Sequence, residues 1–356
     1  MSSAPVLPLP VRLPSSLASP SLASPSLPSL PSSSASRDRL ADEIRRVAAQ
    51  RHAVVTAVER TIVGKTEVVL RVLTALTAGG HVLLVDLPGT GKTALARAIA
   101  AAIALDFRRV QFTPDLLPLD VTGSQIFDLK ARAFQFVPGP VFTHLLLADE
   151  INRAPPKTQA ALLEVMAERQ VTVDGTTRVL PRPFSVIATM NPLDHDGTYA
   201  LPQAQLDRFA VCLRLGFPDP AAEVRMLDVH LGDAGTKTRA DGPVLSREAF
   251  ERWQELVADV FVADPLKRAA VDVMTALRAD TACLEPPSPR ATLSWVRLAM
   301  ATALLQGRDH VLPDDLADTA ASALAHRLQL QPGLVAEVFV ADVACRVLRR
   351  DGRGGA

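Results

Sequence analysis

The chain has 356 residues, 48% of them hydrophobic, with 38 Lys and Arg offset by 38 Asp and Glu. That length allows two ordinary domains or one large one with a sizeable core, and zero net charge gives no electrostatic reason to expect nucleic acid as a partner. No apolar run is long enough to span a bilayer. Cys212, Cys283 and Cys345 lie far apart without C-x-x-C spacing, which fits a reducing, cytoplasmic setting with neither disulfide framework nor zinc site.

Residues 1–37 are expected to form a disordered tail. They are built from Ser, Pro, Leu and Ala, with imperfect repeats such as "SLASPSLASPSLPSLPSS", and frequent proline denies the segment both helix and ladder. It has no unbroken apolar core of the kind a signal peptide needs. The pattern then changes. "RDRLADEIRRVAAQRHAVVTAVERTIVG" carries apolar residues at helical spacing up to Gly64, and "KTEVVLRVLTALTAGG" reads as a second helix.

Strands and helices alternate next. "HVLLVD", "FRRVQF", "HLLLADE", "FSVIATMN" and "FAVCLRL" read as strands, with "KTALARAIAAAIA" and "PKTQAALLEVMAERQ" as helices among them. This predicts an α/β fold with a doubly wound, largely parallel sheet. Two hairpins interrupt it: "QIFDLKARAFQFV" around a polar turn, and "VTVDGTTRVL" around Asp174-Gly175. Beyond "GFPDP", residues 221–348 read as almost wholly helical. The expected organisation is an α/β domain over 38–217, a boundary near Pro218, a helical domain over 218–348 and a second tail over 349–356.

The stretch "HVLLVDLPGTGKT" nearly matches the phosphate-cradling pattern G-x-x-x-x-G-K-[ST], with Asp86 in place of the first glycine. A strand feeding a Gly-rich turn and then a helix aims several backbone N–H groups at one spot, where the helix N-terminus also favours an anion. The expected nucleotide-binding set is Asp86, Leu87, Pro88, Gly89, Thr90, Gly91, Lys92, Thr93 and Ala94. Gly89 and Gly91 permit close approach, Lys92 reaches the β- and γ-phosphates, and the Thr93 hydroxyl ligates Mg²⁺. Asp86 precedes the phosphate-facing turn, so it removes no phosphate-binding amide.

"HLLLADEIN" places two carboxylates at a strand end. Asp149 would hold Mg²⁺ and Glu150 would orient and deprotonate the attacking water. An apolar run before Asp-Glu can also be a strand end meeting solvent, but downstream of a Gly-Lys-Thr loop it reads as a Walker B motif.

The longer phrases "GPVFTHLLLADEINRAPPKTQAALLEVMAERQVTVDG", "TPDLLPLDVTGSQIF" and "LPQAQLDRF" resemble the MoxR family of AAA+ ATPases. "SPRATLSWVRLA" and "GRDHVLPDDLADTAASALAHRL" resemble that family's helical lid, so the likeness spans about residues 40–348. The resemblance implies a P-loop AAA+ sheet domain with β-hairpin insertions of the helix-2-insert branch, followed by an all-helical lid. It implies Mg²⁺-dependent hydrolysis of ATP to ADP and phosphate by a ring homo-oligomer, a hexamer. The energy would remodel a client protein or serve metal insertion, with partners that can carry a von Willebrand factor A domain. Asn191 would be sensor 1, against an ordinary Asn-Pro turn. Arg208 would be the arginine finger, against an ion pair with Asp207, with Arg153 as the other candidate. Arg290 would be sensor 2, acting within its own subunit. Ile62 and Val63 would pack on adenine, although two core residues before a glycine read the same way.

A small-molecule phosphotransferase shares the loop, but Arg208 and the lid argue against it. A DNA-acting motor of the same branch is disfavoured by the zero net charge. Asp194-His195-Asp196 reads as a polar loop, since three adjacent residues cannot converge on one ion. Trp253 and Trp295 read as core.

Overall fold

The computed structural model describes residues 34–192, 197–231 and 242–351. Residues up to Arg39 and residues from Leu40 onward form two units, and the first is described only as the opening turns of a helix. The Asp194–Asp196 reading, most of the expected N-terminal tail and residues 352–356 lie outside the described residues.

Two helices, α1 (Ser34–Glu59) and α2 (Thr66–Thr77), precede β1 (Val82–Val85) and α3 (Lys92–Ala102). β2 (Phe107–Gln111) and α4 (Pro118–Thr122) lead into the hairpin β3 (Gly123–Asp128) and β4 (Ala133–Pro138). β5 (Leu145–Asp149) and α5 (Pro156–Glu168) lead into the hairpin β6 (Gln170–Val173) and β7 (Thr176–Val179). β8 (Ser185–Met190), α6 (Gln203–Leu206) and β9 (Val211–Leu213) complete the sheet part. The five strands β2-β5-β8-β1-β9 are parallel in that order. β1 therefore lies where the strand order reverses, the position at which such sheets open a crevice beyond the strand ends.

Strand periodicity explains the two core layers. Val82 and Leu84, Leu145 and Leu147, and Ile187 face one apolar cluster. Leu83, Leu146, Ala148, Val186 and Ala188 face the other. Because both faces are covered, β5 and β8 read as unbroken apolar runs rather than as alternations. The edge strand β2 keeps its polar residues exposed.

The C-terminal part holds α7 (Pro220–Leu231), α8 (Arg247–Leu256), α9 (Asp264–Ala279), β10 (Cys283–Glu285), α10 (Pro289–Leu305), α11 (Pro313–Leu324), β11 (Gln329–Leu330) and α12 (Ala336–Asp351). It is almost wholly helical, as expected, with one exception: β10 pairs antiparallel with β11, strands too short to leave a periodic signal. Trp253 and Trp295 are fully buried as expected, with indole N–H groups donated to Gln50 Oε1 at 3.2 Å and the Leu316 carbonyl at 3.0 Å. Two helix ends overrun their expected limits. α1 starts at Ser34, because the last proline is Pro31, and α12 runs to Asp351.

Both expected hairpins are present. Asp128 Oδ1 accepts the Lys130 and Ala131 N–H groups at the first turn, and Asp174 and Gly175 take the left-handed conformation at the second. Arg178 of β7 sits over the Phe136 ring of β4, 4.0 Å from its centroid, and so links the hairpins. The tip of the first exposes Phe127, Leu129 and Phe134.

Candidate functional site

Asp86 to Gly91 leave the C-terminal end of β1 and deliver the chain into α3, whose N-cap is Gly91. Gly89 (φ 83°) and Gly91 (φ 92°) occupy the left-handed region, which explains glycine at both positions. A Cβ on Gly89 would meet nothing within 4 Å, so this part of the loop faces open space. The Lys92 ammonium donates to the main-chain oxygens of Asp86 at 2.6 Å and Leu87 at 2.9 Å, and Thr90 Oγ1 donates to the Leu87 carbonyl at 3.1 Å.

Pro88, Gly89 and Gly91 to Ala94 line one side of a cavity of about 400 Å³, while Asp149, Glu150 and Asn191 line the other. The neighbouring parallel strands bring these distant segments together, because β5 and β8 both end at the level of the loop. Ile62 lies behind the loop: a Cβ on Gly91 would be 3.9 Å from Ile62 Cδ1. Ile62 is buried and Val63 half-buried. A hydroxyl and carboxylates beside a cationic, amide-rich loop suit a nucleoside triphosphate and a hard cation such as Mg²⁺.

Asp149 is almost fully buried and fully engaged. Its Oδ1 accepts from Thr189 Oγ1 at 2.5 Å, and its Oδ2 accepts from Arg109 Nε and Nη2 at 3.0 and 2.7 Å. Glu150 has a left-handed backbone (φ 56°), unusual for a residue with a side chain. Its N–H donates to Thr189 Oγ1 at 2.9 Å, and its Oε2 accepts from Gln111 Nε2 at 2.6 Å and pairs with Arg153 at 3.3 Å.

Arg208 and Arg290 lie elsewhere. They line a cleft of about 490 Å³ with Arg169, Arg297, Arg327 and Asp207, bordered by Gly79, Gly80 and His81. Those last three residues precede β1, whereas the phosphate loop follows it. The two sites are thus a strand apart, roughly 13 Å at the usual rise for the four residues of β1. This placement runs against the expectation that Arg290 serves its own subunit's nucleotide: α10 is tied to the near end of β1, with Arg297 Nε donating to the Ala78 carbonyl at 2.7 Å. Nor does Arg208 pair with Asp207. Its guanidinium donates to the Leu163 carbonyl, while Asp207 is held by Ser288 at 2.9 Å and Arg327 at 3.4 Å.

Residues 81–211 match the family model of the ATPase family associated with various cellular activities (AAA), and residues 268–342 match the AAA lid domain. YeaC, an uncharacterised protein of Bacillus subtilis, is 44% identical over 82% of this chain and 92% of its own length. The chaperone MoxR1 of Mycobacterium tuberculosis is 39% identical over 82% of this chain and 79% of its own. The MoxR protein of Paracoccus denitrificans is 33% identical over 78% and 87%. This chain belongs to the MoxR family of AAA ATPases. A crystal structure from Cytophaga hutchinsonii, of a candidate ATPase, matches with a TM-score of 0.79 and 32% identity over 86% of this chain and 97% of that one. As a MoxR-family ATPase the chain binds ATP and hydrolyses it to ADP and phosphate. Among its described residues no helix is long and apolar enough to cross a membrane.

Three residues of this MoxR-family site are not found by reading motifs: Arg109, Gln111 and Thr189. A signal for the first two exists in "FRRVQF". Arg109 and Gln111 alternate onto one face of β2, and the register sets Gln111 opposite Asp149. Thr189 gives no signal of its own within an apolar strand. His81, at the arginine end, is a structural residue. It accepts the Val186 N–H on Nδ1 at 3.0 Å and reaches the Met166 carbonyl from Nε2 at 3.1 Å. Burial pushes its pKa down to about 4.

Proposed function

We propose that this protein is a Mg²⁺-dependent motor that works as a homo-oligomeric ring, a hexamer, in the cytoplasm, and remodels a client protein. The observation that carries this reading is the division of the machinery between two ends of β1. The phosphate loop and the carboxylates share one cavity, and Arg208 and Arg290 share another at the opposite end of the strand. A ring repairs that division, because one subunit's arginine cleft can face the next subunit's phosphate cavity.

In this reading the loop amides and Lys92 hold the phosphates, and Ile62 and Val63 pack on adenine. Thr93 and Asp149 would hold Mg²⁺, which supplies charge neutralisation on the phosphates when bound. Glu150 takes the proton from the attacking water, and Asn191 orients that water. Arg208 and Arg290 of a neighbour stabilise charge developing at the γ-phosphate. The domain limits we propose are 38–217 for the nucleotide-binding part and 218–348 for the lid. The chaperone named among the relatives supports protein remodelling, with metal insertion into a client, or action beside a von Willebrand factor A domain protein, as the form it takes.

The test mixes two inactive variants. Arg208→Ala should bind ATP and fail to hydrolyse it for want of the neighbour's cation, and Glu150→Gln should fail for want of the base. Random re-assembly joins intact Glu150 to intact Arg208 at up to about a quarter of interfaces if sites act independently. Recovered ATPase activity on mixing supports the shared site. No recovery, with subunit exchange demonstrated, counts against Arg208 and turns the same test to Arg153.

A further inference from the structure

The residue that breaks the loop pattern is held more firmly than a relic would be. Asp86 is 8% exposed and lies outside the residues with positive φ, so it adopts the turn without strain. Its carboxylate divides its two oxygens between two segments. Oδ1 accepts the Leu87 N–H at 2.8 Å, within the phosphate loop. Oδ2 accepts the Gly216 N–H at 2.6 Å, across 130 residues of sequence.

Gly216 belongs to "GFPDP", the connection from β9 to α7 and so from the sheet to the helical part. Its φ of 62° is one that a residue with a side chain resists. The same connection is tied a second time, where Lys65 Nζ donates to the Phe217 carbonyl at 2.6 Å. Asp86 also carries main-chain links to both sides of the catalytic cavity. Its carbonyl accepts the Lys92 ammonium at 2.6 Å, and its N–H donates to the carbonyl of Met190, the residue before Asn191, at 3.1 Å. A glycine in its place would keep the two main-chain bonds and lose both carboxylate bonds.

We propose that Asp86 is a positioning residue whose carboxylate clasps the phosphate loop to the lid connection, so that nucleotide binding at Lys92 is felt at Gly216. The physical basis is competition for one ammonium group. Lys92 cannot give its full charge to a phosphate and also keep both main-chain oxygens of Asp86 and Leu87. Binding therefore releases the carbonyl of the residue whose side chain grips the connection. This rests on the ATP-binding reading of the loop.

Hydrogen exchange of the Gly216 and Phe217 amides, measured on the full chain with and without a non-hydrolysable ATP analogue, tests the clasp. Direct binding of the analogue is measured alongside, with Lys92→Ala as the non-binding control. In the native chain, saturating analogue should change Gly216 exchange by about fivefold or more. Asp86→Gly should exchange Gly216 about tenfold faster and show no nucleotide response, while its analogue Kd stays within about threefold. Its ATPase kcat should fall by about tenfold with KM little moved. Asp86→Asn, which keeps one acceptor oxygen, should lie between the two. A native chain that binds the analogue without any change at Gly216 overturns the clasp, and so does an Asp86→Gly variant that keeps the nucleotide response. A native chain that binds no analogue overturns the ATP-binding reading itself, and the clasp falls with it.

Discussion

The two ends of β1 treat charge in opposite ways. At the C-terminal end cations and anions are balanced inside the chain: Asp149 with Arg109, and Glu150 with Arg153. At the N-terminal end Arg169, Arg208, Arg290, Arg297 and Arg327 gather round one carboxylate, Asp207. Two of them are buried enough for it to show in their acidity. Burial and then the neighbouring Arg182 and Arg297 hold Arg169 below the ordinary arginine pKa, and burial pushes Arg327 down to about 10, against the pull of Asp207. A chain does not normally collect that much like charge without an anion to face it. One end balances its charges pairwise, and the other carries five arginines to one carboxylate among the described residues.

The largest expected effect breaks the charge-balanced end. Lys92→Ala should abolish ATP binding, read by direct titration, because the loop loses its only cation. Next, Glu150→Gln should bind ATP yet hydrolyse it about a hundredfold more slowly or worse, and normal turnover would remove Glu150 from the chemistry. At the arginine-rich end, if the proposed ring holds, Arg290→Ala should leave ATP binding of the isolated chain unchanged and lower hydrolysis only on assembly. Equal loss of binding at every protein concentration would put Arg290 back in its own subunit's site.

A pH experiment separates the two ends further. The folded-state pKa of His81 lies below its unfolded value of 6.5, at about 4. Its neutral form therefore contributes stability that is fully present above pH 6.5 and is lost as pH falls from there toward 4. The integrated loss is about 3 kcal/mol. Denaturant midpoints across that window should fall less steeply in His81→Asn than in the native chain, and parallel curves would show that His81 is not responsible. The smallest effect belongs to the hairpin tip. Phe134→Ser should change stability by no more than about 0.5 kcal/mol, since the ring is 70% exposed, and should leave ATPase activity untouched.

How much of this was legible in the sequence depended on whether a signal was local. The loop and the Asp149-Glu150 pair each end an apolar run, so strand periodicity and spacing singled them out, while Asn191 was singled out by the family resemblance; all three line one cavity. The Asp174-Gly175 turn declares itself in two letters. Asp86 was located, but its partner was not. Nothing in "DLPGTGKT" points to Gly216, because a bond across 130 residues is set by strand order alone. The separation of Arg290 from the phosphate loop was hidden for the same reason. A helix start with arginine looks alike at either end of a sheet, and only the docking of α10 near Ala78 decides which end it serves.

The parallel strand order also fixes when the protein can first become active. β1 carries the phosphate loop, yet its partners arrive late: Val82 pairs with Ile187 and with Val211. At ordinary synthesis rates of roughly 5–20 residues per second, the apolar segment "VLLV" waits about 5–20 seconds for its first neighbour. During that wait it is an unpaired edge, the kind of surface that chaperones shield and that aggregates recruit. A nascent chain stopped before Ser185 should hold no nucleotide, however complete its loop sequence. A protein whose relatives include a chaperone thus spends its own first seconds with the exposed strand that chaperones exist to protect.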